Sequence, residues 1–344
     1  MKTRVEHDFL GEMKIPANAY YGVQTMRAVQ NFCISGRTVS QCPSLIKALA
    51  YVKKAAALAN AELGVLPKDI SKAICAACDE LLAGKLHDQF PVDTIQGGAG
   101  TSTNMNANEV IANRALEIMG HEKGDYQYCH PNNHVNCSQS TNDAYPTAFR
   151  LALYADLTNL MGHMRYIQDC FAHKGVEFSD VVKMGRTQLQ DAVPMTLGQE
   201  FSAYATTIGE DILRIEKNRK LLLEINLGAT AIGTGINAPS DYSRIVCNHL
   251  SNLIGFNVVT SDNLIEATWD TGSYVQISGV LKRFAVKLSK ICNDLRLLSS
   301  GPRTGINEIN LPRRQPGSSI MPGKVNPVIP EVINQICFDV IGKD

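Results

Sequence analysis

An unbroken heptad of apolar residues late in the chain most constrains how this sequence can fold. Apolar side chains recur at alternating steps of three and four residues at Tyr274, Ile277, Leu281, Phe284, Leu288, Ile291, Leu295 and Leu298. Such a stripe is typical of a long α-helix that packs along another helix at about +20° in a bundle. Its length exceeds what a compact single-chain domain usually needs. The pattern therefore predicts a long-helix bundle with packing between subunits.

Further periodic segments predict a mainly α fold. Helical spacing extends from Phe149 to Phe171 and from Phe201 to Leu222, and shorter helical patterns lie near Leu45–Leu63 and Ile70–Leu82. Strand signals are few and short. The helical periodicity of the apolar residues is interrupted more often before residue 140 than after it. We therefore expect a smaller, mainly helical N-terminal domain over residues 1–140 and a central long-helix bundle domain over residues 141–344.

Composition excludes several classes of protein. The chain has 344 residues, 44% of them hydrophobic and 19% charged, and its 33 basic residues balance 33 acidic ones. This balance provides no basic surface for nucleic acid or anionic membrane. The first residues are charged, and no window approaches the roughly twenty apolar residues of a membrane span. These features predict neither a signal peptide nor a membrane span, and the free cysteines considered next lead us to expect a location in the cytoplasm.

Cysteine and histidine patterns give no metal site. The ten cysteines are scattered, and the spacing of Cys75 and Cys78 lies inside a helical pattern without a second pair. We expect buried free thiols in a reducing compartment. His130 and His134 are separated by Pro131 and two asparagines, so we expect no helix to align them.

A segment rich in glycine and proline, Gly317–Pro327, concentrates chemically useful side chains. It carries two hydroxyls, an ammonium and an amide, from Ser318, Ser319, Lys324 and Asn326. Glycine and proline disfavour regular structure there, whereas Pro327 fits the first turn of a helix predicted over Val328–Val340. A loop that leads into a helix N-terminus can bind anions. The alternative is a glycine-rich surface turn.

Three other clusters of hydroxyl and amide side chains are predicted to precede helices. They are Gln96–Asn104, Asn136–Asp143 and Gly185–Asp191, ahead of the helical patterns that begin at Met105, near Pro146 and near Met195. Each cluster alone is explained more simply as a helix N-cap. Four such clusters in one chain indicate that their hydrogen-bond donors converge on one ligand. Because the sequence has no phosphate-binding P-loop, we expect that ligand to be small and carboxylated.

At these residues the sequence resembles the aspartase/fumarase superfamily of lyases, over essentially the whole chain. Gly317–Asn326 matches the superfamily signature, and the clusters around Thr101, Ser140 and Thr187 match its other conserved blocks. Within the superfamily the chain is most similar to the aspartases, because Thr141 stands where fumarate hydratases usually have a second serine. Gln188 departs from the broader pattern, since fumarases and some aspartases have histidine there.

The resemblance implies deamination of L-aspartate to fumarate and ammonia through a doubly charged aci-carboxylate. Ser318 would be the base, with Lys324 as its catalytic partner. One substrate carboxylate would bind Thr101, Ser140, Thr141 and Ser319, and the other would bind Lys324 and Asn326. The amino group would be surrounded by Asn142, Thr187 and Gln188. No cofactor is implied; activation by a divalent cation stays an open alternative, for which the sequence identifies no ligands.

The resemblance also implies a homotetramer whose active sites are each built from three chains, which agrees with the heptad. Superfamily chains normally continue through further bundle helices and a small C-terminal domain, so this chain is expected to be cut short. Fumarate hydratase, a related lyase acting on argininosuccinate, and a non-catalytic truncated bundle protein are the alternatives. Gln188 and Thr141 weigh against the hydratase, and intact Ser318, Lys324 and Thr187 weigh against lost chemistry.

Overall fold

The computed structural model describes residues 2–344, and helices dominate it. This confirms the predicted mainly α class. The helices are α1 Val23–Asn31, α2 Pro43–Glu62, α3 Lys68–Leu82, α4 Thr101–Ile118, α5 Thr141–Glu177, α6 Leu197–Arg219, α7 Tyr242–Ile254, α8 Leu264–Trp269, α9 Gly272–Leu298 and α10 Val328–Gly342.

The strands form small two-stranded sheets, as the few strand signals predicted. Antiparallel pairs join β1 to β2 and β3 to β4, and a parallel pair joins β5 to β6. Their bounds are β1 Thr3–Asp8, β2 Gly11–Pro16, β3 Val182–Thr187, β4 Gln190–Thr196, β5 Glu224–Ile225 and β6 Val259–Thr260.

One compact unit comprises the residues up to Asp156 together with Leu221–Asp270. Its core lies among α2, α3, α4 and α7, where α2 packs on α3 and α7, and α3 packs on α4. Alanines such as Ala55, Ala56 and Ala59 on α2 let neighbouring helices approach closely. The largest fully buried apolar side chains include Ile46, Leu49, Ile74, Ile111, Leu116 and Tyr242.

The other compact unit comprises Leu157–Lys220 and Thr271–Asp344. Within it α9 packs against both α6 and α10. The predicted heptad helix is confirmed, because α9 covers the whole stripe. Every second position of the stripe is buried, and the alternate positions, Tyr274, Leu281, Leu288 and Leu295, are only half-buried. Ile336 and Phe338 on α10 are 58% and 62% exposed.

The predicted boundary near residue 140 stays a prediction. The two units alternate along the sequence, and α5 contributes residues to both of them. None of the helices described between residues 2 and 344 has the length and apolarity that crossing a bilayer requires.

The long helix expected to begin near Pro146 begins earlier, at Thr141. A proline inside a helix leaves the carbonyl four residues before it without its helical donor. Here that carbonyl belongs to Asn142, and it accepts a hydrogen bond from Nδ2 of Asn226 at 3.0 Å. The helix therefore tolerates Pro146 in its second turn, and Thr141 and Asn142 lie in its first turn.

The cluster Gly185–Asp191 does not directly precede a helix, contrary to expectation. It forms the end of the β3–β4 hairpin, in which Thr187 pairs with Gln190. The turn residues Gln188 and Leu189 have positive φ values of 52° and 64°. Turns of this kind usually contain glycine or asparagine, so the sequence carried no hairpin signal.

The expectation that no helix aligns His130 and His134 is also wrong. Pro131–Val135 forms a π-helical turn, and the N–H of His130 donates to Nδ1 of His134 at 2.8 Å. Nδ1 of His130 in turn accepts the N–H of Asn132 at 3.0 Å. Because each imidazole accepts a backbone N–H, the two rings stabilise this turn.

The cysteine prediction is confirmed in part. All ten cysteines are free thiols, and Cys75 and Cys78 lie on α3 as expected. Cys33 and Cys170 are exposed, whereas the buried ones are Cys78, Cys129, Cys247, Cys292 and Cys337.

Candidate active site

The loop around Ser318 holds its hydroxyl against backbone donors. Oγ of Ser318 accepts the N–H of Ile320 at 3.2 Å and the N–H of Met321 at 3.0 Å. Two N–H groups that point at one oxygen stabilise negative charge on it, as in an oxyanion hole. Ser318 is half-buried and Ser319 is exposed. The loop can therefore lower the cost of ionising the Ser318 hydroxyl.

The two ends of this loop are closed onto each other. The N–H of Gly317 donates to the carbonyl of Lys324 at 2.8 Å, and Nδ2 of Asn326 donates to the carbonyl of Gly317 at 3.3 Å. A Cβ on Gly317 would lie 2.7 Å from Oδ1 of Asn326, so only glycine fits there. The loop leads into α10 at Val328, as predicted.

Lys324 and Asn326 line a cavity of about 670 Å³ with Arg296, Asn307 and Arg313. The cavity thus has two guanidinium groups and an ammonium around amide side chains. This is a suitable environment for a carboxylate, since charge-assisted hydrogen bonds are the stronger ones.

The hairpin turn places Thr187 and Gln188 at an exposed tip. Residues other than glycine seldom adopt positive φ, and such conformations concentrate at functional sites. Gln188 lines a cavity of about 350 Å³ whose other polar walls include Arg186, Glu200 and Asp294. The turn therefore presents neutral donors and acceptors rather than an imidazole.

The hairpin is tied to the segment between α9 and α10. Glu308 in that segment pairs with Arg186 and, at 3.0 Å, with Nζ of Lys183. Lys183 also pairs with Glu200 on α6. The Lys183 side chain is only 7% exposed, so this ion-pair network is poorly screened by solvent.

In the first unit, Thr101 opens α4 behind a glycine that the fold requires. Gly100 has φ of 92°, and a Cβ there would lie 2.4 Å from the ring of Tyr145. The N-cap residue Gly100 has no side chain, but Oε1 of Gln96 accepts the N–H of Thr103, the third residue of the helix, at 3.0 Å. Oγ1 of Thr101 donates to the carbonyl of Gly98 at 2.7 Å, and the side chain is exposed. The N–H of Thr101 donates to the carbonyl of Gly98 at 3.1 Å, so the first N–H groups of α4 are largely bonded within the chain while Thr101 itself stays exposed.

The Ser140–Asn142 turn lies next to α4. Nδ2 of Asn104 on α4 donates to Oγ1 of Thr141 at 3.2 Å. Oγ of Ser140 accepts the N–H of Asn142 at 3.3 Å, and Nδ2 of Asn142 donates to the carbonyl of Ala231 at 2.8 Å. Ser140 lines a cavity of about 420 Å³ with Thr230 and Thr234.

The predicted site residues thus fall into two sets. Thr101, Ser140, Thr141 and Asn142 belong to the first unit, where Asn104 links α4 to α5. The second unit holds Thr187, Gln188, Ser318, Ser319, Lys324 and Asn326, with Glu308 linking the hairpin to the segment that leads to Ser318.

A buried lysine beneath the Ser140 turn was not singled out from the sequence. Lys53 on α2 is fully buried, and its ammonium donates to Oδ1 of Asn136 and to Oε1 of Gln139, both at 2.9 Å. Burial lowers its pKa to about 7, while Asp143 opposes that change. The sequence could have indicated its burial, because Lys53 follows Ile46 and Leu49 at helical spacing on the apolar face of α2.

The sequence identified no metal ligands. Within residues 2–344, no group of three or more His, Cys, Asp or Glu side chains is arranged to hold a metal ion.

Comparison with known proteins identifies the family. A family model described as lyase matches residues 11–342. The chain is 63% identical to aspartate ammonia-lyase from Helicobacter pylori strain J99 over 99% of its length and 73% of that protein. It is 60% identical to aspartate ammonia-lyase from Escherichia coli strain K12, over 99% of its length and 72% of that protein.

Solved structures agree with the sequence relatives. A fumarate lyase:delta crystallin from Brucella melitensis bound to cobalt matches 99% of this chain and 74% of its own, with a TM-score of 0.97 and 58% identity. A class II fumarase from Schistosoma mansoni matches 99% of this chain and 74% of its own, with a TM-score of 0.92 and 35% identity. The resemblance inferred from the sequence motifs is therefore confirmed, and the chain belongs to the lyase family of the aspartase/fumarase superfamily.

Proposed function

We propose that this chain is an aspartate ammonia-lyase, a carbon–nitrogen lyase that converts L-aspartate reversibly into fumarate and ammonia. The relatives named aspartate ammonia-lyase are 60% to 63% identical over nearly the whole chain. The observation that carries the proposal is the pair of N–H groups, from Ile320 and Met321, donated to Oγ of Ser318.

Ser318 acts as the base. The carbon next to a carboxylate is a very weak acid, so its proton can be removed only if the base is strong and the resulting charge is stabilised. The two loop N–H groups and the ammonium of Lys324 favour an ionised Ser318 hydroxyl. The loop closes over the substrate and excludes water, which strengthens these interactions.

The carboxylates are held by the remaining donors. Thr101, Ser140, Thr141 and Ser319 bind the carboxylate that becomes the aci-carboxylate, and their hydrogen bonds strengthen as its second charge develops. Support comes from the exposed position of Thr101 at the start of α4 and from the link of this helix to Thr141 through Asn104. Lys324 and Asn326 bind the other carboxylate.

Asn142, Thr187 and Gln188 surround the departing amino group. Nδ2 of Asn142 is engaged with the carbonyl of Ala231, so its amide oxygen is the atom that faces the substrate ammonium. A neutral Gln188 accepts from that ammonium, whereas a protonated imidazole would repel it.

A homotetramer brings the two sets of residues together, with three chains contributing to each active site. The half-buried face of α9 and the exposed apolar residues of α10 support this assembly. The proposed location is the cytoplasm. The domain division at residue 140 belongs to the same proposal.

The mechanism needs no organic cofactor, because this chain's own residues supply the base and the anion-binding groups. Activation by a divalent cation is a separate proposal. It is motivated by the Brucella melitensis structure described as bound to cobalt, and no residues of this chain are assigned to it.

The experiment compares L-aspartate and L-malate as substrates and follows fumarate by its absorbance at neutral to mildly alkaline pH. Fumarate should form from aspartate together with an equal amount of ammonia, and malate should give little or none. Fumarate hydratase is the second candidate, supported by the similarity to a class II fumarase. Malate turnover at the rate seen with aspartate would establish it instead.

A further inference from the structure

One buried carboxylate joins the turn that carries Ser140 to a separate loop. Asp143 is fully buried, and its Oδ1 accepts the N–H of Ser140 at 2.8 Å. Its Oδ2 accepts the N–H of Gly228 at 3.1 Å and the N–H of Thr230 at 2.9 Å. The two carboxylate oxygens therefore face two different segments of the chain.

The loop held by Asp143 has a backbone conformation that needs support. Thr230 has φ of 57°, which β-branched residues rarely adopt, and Gly228 has φ of 99°. Such conformations persist only where the surrounding structure holds them in place. The hydrogen bond from the Thr230 N–H to Asp143 supplies that support directly.

Both segments line the same cavity. Its walls include Ser140 from the turn with the preceding Gln139, and Thr230 and Ala231 from the loop with the nearby Thr234. A second contact reinforces the first, because Nδ2 of Asn142 donates to the carbonyl of Ala231 at 2.8 Å. A shift between the turn and the loop would therefore change the shape of the cavity.

The charge of Asp143 is maintained by its surroundings. Burial raises the pKa of Asp143 to about 6, and the N–H groups of Ser140, Thr230 and Gly228 oppose this rise. The ammonium of Lys53 also favours the carboxylate at a pH below about 7, where Lys53 is protonated. At the mildly alkaline pH of the assay the side chain is thus ionised and accepts hydrogen bonds on both sides.

We propose that Asp143 is a positioning residue for the substrate carboxylate. It fixes the Ser140–Asn142 turn against the loop Gly228–Ala231, and so holds the hydroxyls of Ser140 and Thr141 where the aci-carboxylate forms. This inference rests on the proposed function for its catalytic consequence. The structural connection itself is independent of that function.

The test is Asp143→Asn in the tetrameric protein. An amide has only one accepting oxygen, so either the Ser140 side or the Gly228 and Thr230 side loses its acceptor. A displacement of about 1 Å in a positioned group can reduce the rate by about 100-fold. We expect kcat/KM for L-aspartate to fall by about 10- to 100-fold, with most of the loss in kcat.

Glu109→Gln is the matched control. Glu109 is another buried carboxylate of the same unit, and it accepts the N–H groups of Gly22, Gln24 and Thr25. The same chemical change there should leave kcat/KM within about twofold. Equal losses in the two variants, or near wild-type kcat/KM in Asp143→Asn, would overturn the positioning role.

Hydrogen exchange separates this proposal from the proposed function. In Asp143→Asn, peptides that cover residues 138–145 and 226–232 should exchange faster than in the wild type, and in Glu109→Gln they should not. Unchanged exchange would overturn the connection. If the wild type does not turn over aspartate, the proposed function fails, and the exchange result still decides whether Asp143 holds the two segments together.

A double variant covers the case in which Asp143→Asn does not fold. Thr230→Gly removes the strain at positive φ, so the loop depends less on Asp143. The double variant Asp143→Asn with Thr230→Gly should be soluble. Where Asp143→Asn alone is also soluble, the double variant should have a kcat/KM at least about threefold higher than that single variant. If Asp143→Asn alone is insoluble, the comparison is with Thr230→Gly alone. The double variant should then have a kcat/KM about tenfold lower than that of Thr230→Gly. Equal activity of the double variant and Thr230→Gly would count against the role of Asp143.

Discussion

Arg186 and Glu308 form an ion pair that ties the strand carrying Thr187 to the segment that leads to Ser318. Burial opposes ionisation of Glu308, but hydrogen bonds from Arg186 and Lys183 hold its pKa below the ordinary value. The carboxylate is therefore charged at neutral pH and holds both basic side chains. The hairpin and the segment are positioned by charge as well as by packing.

Replacement of Glu308 by glutamine should slow catalysis without unfolding the protein. The variant removes the charge that Arg186 and Lys183 share, so the Thr187–Gln188 tip loses its fixed position. We expect kcat for L-aspartate to fall by about 10- to 100-fold, with helix content by circular dichroism unchanged. Glu177→Gln is the control, because Glu177 pairs with Lys174 on an exposed helix face, where ion pairs contribute little. Matching kinetics in the two variants would count against this positioning role.

Replacement of Ser318 by alanine should abolish turnover. Loss of a positioned base costs about 10²- to 10⁴-fold in rate. The N–H groups of Ile320 and Met321 would then have no hydroxyl oxygen to stabilise. Fumarate absorbance gives the rate, and circular dichroism checks the fold. A rate above about a tenth of the wild type would exclude Ser318 as the base.

Local sequence patterns were sufficient to predict much of the helical fold and the Ser318 loop. The heptad from Tyr274 matches α9, and the glycines and prolines of Gly317–Pro327 match an irregular segment. These features depend on residues close together in the sequence. The start of α5 was missed, because the Asn142 carbonyl that Pro146 leaves without a helical donor is bonded by the distant side chain of Asn226.

Supporting residues of the site could not be predicted, since their roles depend on long-range contacts. Lys53 donates a hydrogen bond to Gln139, Asp143 accepts one from Thr230, and Glu308 forms an ion pair with Arg186. The partners of each pair are far apart in the sequence. No local spacing encodes such pairs. The hairpin turn at Gln188 and Leu189 was missed for a different reason, because it lacks the residues that usually adopt positive φ.

The stability of the N-terminal region should depend on pH through Glu109. Burial raises the pKa of Glu109 to about 7 from 4.5, hydrogen bonds from Thr25 and Gln24 oppose the rise, and the Glu6 carboxylate adds to it. Between these values the folded chain keeps a proton that the unfolded chain has released. The stabilisation from this group is therefore full below pH 4.5 and is lost as the pH rises through about 7.

Glutamine at position 109 imitates the protonated side chain and does not titrate. The melting temperature of Glu109→Gln minus that of the wild type should therefore increase from pH 5 to about pH 8. Melting curves at constant ionic strength measure this difference. A difference that stays constant across this range would show that Glu109 titrates near its ordinary value.

The half-buried face of α9 predicts a tetramer that single charges can disrupt. Leu281 and Leu288 lie at heptad positions that this chain covers only in part. Burying a leucine against a partner contributes about 1.5–3 kcal/mol, and a glutamate there would leave a charge without a partner.

Light scattering of the wild type should give a mass of about four chains. Leu281→Glu and Leu288→Glu should shift it to smaller species and reduce activity, because the proposed active site takes residues from three chains. Lys217→Glu, which reverses a charge at an exposed position of α6 and so changes the net charge more than Leu→Glu does, should leave the mass unchanged. A monodisperse wild-type monomer that turns over aspartate would contradict both the assembly and the shared active site.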